Sequence, residues 1–294
     1  MLRFYVEIAV FSLLLTGLSF GQTPQPDSRY GFGLLDRRSI YGAYFFPEPL
    51  NADEADVDNE VRADWLHTEK TGHQADEVRV ELEKSFGSLT LEVAPTYESD
   101  RVSFFNPDSD MTEQQSEEGL GNVELGARHP IYQYVSPGGF FDTTFVLGLE
   151  VAVPTLSEIS RDVEVVPKLF NLTRVGEHFS IQTGLGNSIL VGPDGRGLST
   201  IEYSAVFGYE LATDQLPMPG ALSITPLFEL EGEYTMNQED AGHNELSGTV
   251  GFRINCESIG ALQPRIGLGY VFPIDAGARE DFDWGIVTSL VLEY

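Results

Sequence analysis

From about residue 60 to the end of the chain, side chains alternate in character at every second position, in runs too long for an ordinary soluble sheet. The run 141-FDTTFVLGLEVAV-153 shows the pattern. Successive residues of a strand point to opposite faces. One face of this run therefore carries Phe141, Thr143, Phe145, Leu147, Leu149, Val151 and Val153. The other carries Asp142, Thr144, Val146, Gly148, Glu150 and Ala152. The runs 199-STIEYSAVFGYEL-211 and 282-FDWGIVTSLVLEY-294 divide in the same way. The alternation predicts about twelve strands, near 60–69, 76–86, 89–98, 119–131, 140–153, 163–174, 179–191, 199–211, 221–234, 245–255, 262–272 and 282–294. A helical period fits none of them better over a comparable length.

Strands of soluble sandwiches average about 5–6 residues, whereas a tilted strand crossing a bilayer needs about 9–11 and places apolar residues outward and polar residues inward. Aromatic residues gather toward the predicted strand ends, among them Phe141, Phe179, Tyr209, Tyr234, Tyr270, Trp284 and Tyr294, where interfacial girdles sit. The expected fold is all-β, a transmembrane antiparallel up-and-down β-barrel of about twelve strands, within a range of roughly 10–14. Pro95, Pro167, Pro226 and Pro264 stand against this strand map. Proline removes a ladder donor, and a closed barrel has no edge on which to hide it. Bulges or shifted strand ends must absorb them.

The N-terminus, 1-MLRFYVEIAVFSLLLTGLSFGQ-22, has a basic start, an apolar run and small residues before Gln22. It reads as a cleaved signal peptide over 1–21. The Pro-, Asp- and aromatic-rich stretch 22–58 reads as a periplasmic extension or a plug, and 59–294 as the barrel. No later segment offers about 18 consecutive apolar residues, so no spanning helix is expected. The single cysteine, Cys256, precludes an internal disulfide. With 46 acidic against 17 basic residues the chain carries a net charge of −29, which repels nucleic acid and anionic membrane surfaces. If the C-terminus is periplasmic, the tight turn Gly87-Ser88 falls inside and the expected longest loop, 99–118, falls outside, the asymmetry of outer-membrane barrels.

These segments resemble a known family. A glycine-led strand, 119-GLGNVELGARHPIY-132, a long strand ending in proline, 147-LGLEVAVPTL-156, a late strand, 225-TPLFELEGEYT-235, and the aromatic C-terminal Tyr294 are similar to features of bacterial outer-membrane transporters of the "MetA-pathway of phenol degradation" type. The resemblance covers about 60–294. It implies a barrel of about twelve strands and passive passage of small, aromatic or hydrophobic molecules across the outer membrane of a Gram-negative-type bacterium.

Alternation places Glu124, Arg128, Glu150, Glu202, Glu229, Glu231, Glu233, Arg253 and Arg265 on lumen-facing rows, together with Arg79, Glu81, Glu92, Asp142, Glu210, Asp283 and Glu293. Such charges ordinarily pair to hold a barrel's shape or line water. Functionally, acidic rows beside Arg128, Arg253 and Arg265 would filter solutes by charge, with a weak preference for cations. Glu229 and Glu231 are spaced for a glycosidase carboxylate pair, but so are carboxylates on many unrelated strands, and no catalytic role is expected of them. The five histidines show no metal spacing, and no cofactor is expected. The acidic runs 107-PDSD-110 and 117-EE-118 read as solvated loop with weak divalent-cation contacts at most. The motif 192-GPDGRG-197 lacks the Lys of a phosphate loop and reads as a turn. Gly-Leu-Gly recurs at 119–121, 184–186 and 267–269, where inward glycines would relieve crowding. Two other readings remain: a barrel-borne lipid hydrolase, and a soluble exported β-carrier whose apolar face is a core.

Overall fold

The computed structural model describes residues 48–55, 59–86, 89–106, 111–136, 140–155, 162–192, 197–212, 218–238 and 241–294. The signal-peptide reading of 1–21, the stretch 22–47 and the acidic run 107–110 lie outside the described residues. The strands are β1 (Glu60–Lys70), β2 (His73–Phe86), β3 (Leu89–Asn106), β4 (Met111–Val135), β5 (Phe141–Val153), β6 (Val163–Val175) and β7 (Phe179–Val191). They continue as β8 (Ser199–Tyr209), β9 (Leu211–Ala212), β10 (Ala221–Thr235), β11 (Asn244–Cys256), β12 (Gln263–Pro273) and β13 (Trp284–Glu293), with a short helix α1 (Ala278–Asp281). Each strand pairs antiparallel with its sequence neighbours, β8 and β9 forming one interrupted stave against β10. The ladder from Glu60↔Glu293 to Glu69↔Trp284 joins β1 to β13 and closes a twelve-strand barrel. No described helix is long and apolar enough to cross a membrane.

The strand map holds, with one correction. The expected loop 99–118 is largely strand: β3 and β4 continue pairing to Asn106↔Met111. This extension is mostly polar, its few apolar residues, Val102, Phe104, Phe105 and Met111, fall on no single face, and Arg101, Val102 and Ser103 are all exposed. With water on both sides there is no hydrophobic alternation for a sequence reading to detect. Glu117 and Glu118 therefore sit on β4, not in a loop.

The prolines fall where the ladders yield. Between Pro95 and Tyr97 the β3–β4 register shifts. The β6–β7 pairing lapses between Val165↔Ile189 and Lys168↔Gly186, opposite Pro167. Pro226 lies at the gap between the β8 and β9 ladders, where the Glu210 N–H donates instead to the His178 carbonyl at 2.8 Å. The β11–β12 ladder stops at Arg265, one residue before Pro264. A closed sheet thus accommodates proline by omitting the bond its nitrogen cannot donate.

Burial alternates with the pleat. On β5 the even positions from Asp142 to Ala152 are buried, and the odd ones are exposed or half-exposed. The exterior row includes Leu82, Leu91, Leu125, Val250, Ile266 and Leu268, an apolar surface suited to lipid. Trp65, Tyr97, Tyr234 and Tyr270 are exposed toward one rim, and Tyr132, Phe141 and Tyr209 toward the other. Trp65 and His67 both bond Asp76, at 3.1 and 2.9 Å, beside Trp284.

Candidate functional site: the barrel interior

Residues 48–55 lie inside the barrel, against inward side chains of β1, β6, β10 and β11. Glu48, Leu50, Ala52, Glu54 and Ala55 are all buried. An irregular segment away from any ladder leaves its backbone groups unpaired, and these must find other partners. Glu229, at mid-strand on β10, supplies them. Its carboxylate accepts the N–H groups of Leu50 at 2.6 Å, Asn51 at 2.9 Å and Ala52 at 3.2 Å. The Asn51 side-chain amide donates to Glu231. From the adjacent strand β11, Arg253 donates to the carbonyls of Glu48 at 2.9 Å and Pro49 at 2.6 Å, and from β1 Arg62 donates to those of Pro49 at 3.0 Å and Leu50 at 3.4 Å. Arg265 pairs with the carboxylates of Glu48 and Glu293.

The wall is also shaped for this segment. A Cβ at Gly251 or Gly267 would overlap the Leu50 methyls, and one at Gly269 would lie 3.0 Å from them. The Gly-Leu-Gly at 267–269 therefore makes a socket for one leucine. That at 184–186 has a related use: a Cβ at Gly184 would lie 3.4 Å from the buried Phe170 ring. At the far end, Ala55 is clustered with Val146, Phe170 and Leu172.

Asp53 reaches β6, three staves from β10. Lys168 on β6 contacts Asp53 at 2.5 Å, Glu150 at 2.5 Å and Glu202 at 3.4 Å. Burial pushes the Asp53 carboxyl up, but Lys168 and Arg79 outweigh it and bring it down to about 2. Glu54 lies 3.4 Å from Arg62. Burial outweighs that guanidinium and lifts the Glu54 carboxyl to about 7.

Two cavities flank the segment. The larger, about 220 Å³, is lined by Asp53, Glu124, Glu150, Glu164, Glu202, Glu231 and Glu233, with Phe170 and Tyr203. Lys168 is the one base among the described residues lining it. The smaller, about 60 Å³, is lined by Asp53, Glu54, Arg62, Arg79, Glu81 and Arg128 among others. Asp53 borders both.

Of the nine residues singled out from sequence, Glu124, Glu150, Glu202, Glu231 and Glu233 line the larger cavity. Glu229, Arg253 and Arg265 hold the inner segment. Arg128 is buried, pairs with Glu83 at 2.6 Å and Glu92 at 2.5 Å, and borders the smaller cavity. Glu124 is bridged by Arg79 at 2.7 Å. Asp283 instead precedes β13 and is exposed, because that strand starts at Trp284. Arg62, Glu83, Lys168 and Arg174 also lie on buried positions but were missing from the sequence-based set, although their alternation would have revealed them. Around Lys168 the irregularity at Pro167 obscured it.

No protein-family model and no curated protein sequence matches the chain. Among solved structures, it is similar to an outer membrane channel from Pseudomonas putida F1, with a TM-score of 0.50 and 13% identity over 85% of this chain and 100% of that one. The KdgM porin (TM-score 0.40, 14% identity, 80% of this chain and 98% of that one) and the NanC porin (TM-score 0.43, 9% identity, 80% and 98%) are also similar. At these identities what is shared is the fold: a closed barrel of the outer-membrane type.

Proposed function

We propose that the protein is an outer-membrane channel that passes small solutes passively and favours cations, with residues 48–55 narrowing its lumen. In this reading residues 1–21 are a cleaved signal peptide, 22–58 an N-terminal extension whose end enters the barrel, and 59–294 the barrel itself. The observation that carries it is the 220 Å³ cavity, whose seven lining carboxylates face a single ammonium group. Fixed charges of one sign beside low-dielectric walls concentrate counter-ions and exclude co-ions. An apolar cavity of about 150 Å³ admits benzene, so the volume suits a single-ring solute. That agrees with the small aromatic molecules implied by the resemblance to phenol-degradation transporters. The carboxylate lining adds a preference for those bearing positive charge or several hydroxyls. The test is reconstitution into planar bilayers and liposomes. Discrete conductance and faster swelling with small cationic solutes than with anionic ones of equal size are expected. A non-conducting barrel with esterase activity would replace this reading by the hydrolase.

A further inference from the structure

The inner segment has two differently held halves. Residues 48–52 are fixed by shape and by backbone bonds: the glycine socket around Leu50, three N–H groups on Glu229, and carbonyls on Arg253 and Arg62. Among the described contacts, residues 53–55 are held through their side chains alone. These are the ion pairs of Asp53 with Lys168 and of Glu54 with Arg62, together with the apolar seat of Ala55. The boundary between the two cavities runs through this second half, since Asp53 lines both.

We propose that the Asp53–Lys168 pair is the latch of a gate, with residues 53–55 as its moving part and residues 48–52 as its fixed anchor. With the latch closed, the segment partitions the lumen into the 220 Å³ and 60 Å³ chambers. With it open, the two join. Lys168 is suited to this role because its ammonium group is already shared with Glu150 and Glu202. On release it keeps two carboxylate partners on the wall, so opening strands no buried cation. Asp53 in turn moves toward the side lined by Arg79 and Arg128, whose positive charge already acts on it in the closed state, and shares guanidiniums that also serve Glu92. Both states of the latch thus leave its charges compensated, the condition for a two-state element rather than a rigid plug. The proposal rests on the channel reading, and its test separates the two.

Single-channel recordings of the full chain, in a Cys256→Ser background, provide that test. Asp53→Asn removes the charge at nearly constant shape. It is expected to raise the open-to-closed ratio about tenfold, the size of losing about 1.4 kcal/mol of closed-state preference. Ala55→Cys with Val146→Cys places a removable tether beneath the moving part. Oxidation should hold the low-conductance state, and reduction should restore switching. Conductance that ignores both Asp53→Asn and the tether would overturn the latch while leaving the channel reading intact. If the wild-type chain, Asp53→Asn and a variant lacking residues 22–58 all fold and none conducts, the channel reading falls, and the latch with it.

Discussion

The Glu229 carboxylate, at mid-strand on β10, holds the Leu50 N–H at 2.6 Å, although 179 residues separate the two in sequence. One side chain of the wall thereby fixes the backbone of the segment inside the barrel, and the next two N–H groups converge on the same carboxylate. Hydrogen bonds to a charged acceptor contribute about 1.5–3 kcal/mol each, and a buried donor left without a partner costs about 1–3 kcal/mol. Glu229→Ala should therefore free the inner segment while the ladders persist. Heat-modifiable gel mobility is expected to survive, and residues 48–55 should become accessible to protease. Unchanged protection would show that the glycine socket and the arginines suffice alone.

Leu50 and the glycine socket should behave as one unit. Gly267→Ala alone is expected to destabilise, because its Cβ would overlap a Leu50 methyl, and overpacking of this kind costs about 1–3 kcal/mol. Leu50→Ala alone should cost about 2–5 kcal/mol through the cavity it leaves. Combined, the two should cost clearly less than their sum, since the smaller residue makes room for the new methyl. Thermal melting in detergent measures the cycle, and strict additivity would contradict the socket.

The two faces of β5 give a third prediction. Leu149 faces outward and Glu150 inward, paired with Lys168. An arginine at mid-bilayer on the lipid face costs about 2–4 kcal/mol, so Leu149→Arg should impair insertion. Glu150→Gln should insert normally and lower cation selectivity. Equal damage from both would break the assigned register.

Acidity should act on the inner segment through two opposed carboxyls. Burial, reinforced by the charge of Glu81, outweighs Arg62, Arg128 and Arg253 and raises Glu54 from 4.5 to about 7. The stabilisation of its docked form is complete below 4.5 and is lost as pH rises through 7. Asp53 is lowered from 3.8 to about 2. Its contribution is present above 3.8 and is lost as pH falls through 2. Docking should therefore be tightest near pH 4–5 and loosen toward pH 8. Single-channel closed times, longest near pH 5, would register this, and Glu54→Gln should flatten the alkaline limb. Closed times that lengthen from pH 5 to 8 would contradict it.

How much of this the sequence discloses depends on whether each feature has a local period. Strand alternation has one, so β5, β10 and the inward rows of Glu229, Glu231 and Arg253 were legible. The β3–β4 extension lost its alternation on leaving the apolar layer and read as a loop. The prolines looked like objections because sequence does not show which side of a strand lacks a bond. The role of Glu229 was hidden for another reason: its partners belong to an irregular segment far off in the chain, and no spacing rule links the two. The stripe Glu229, Glu231 and Glu233 thus has divided duties. Glu229 grips backbone, Glu231 takes the Asn51 amide, and Glu233 faces the cavity.

Reversal potential under a potassium chloride gradient tests the central claim most directly. A lumen with seven cavity-lining carboxylates against one lysine should give a potential of the sign that marks cation preference. Glu202→Gln with Glu233→Gln should move it toward zero. A reversal potential of the opposite sign, or one that these substitutions leave unmoved, would contradict the account.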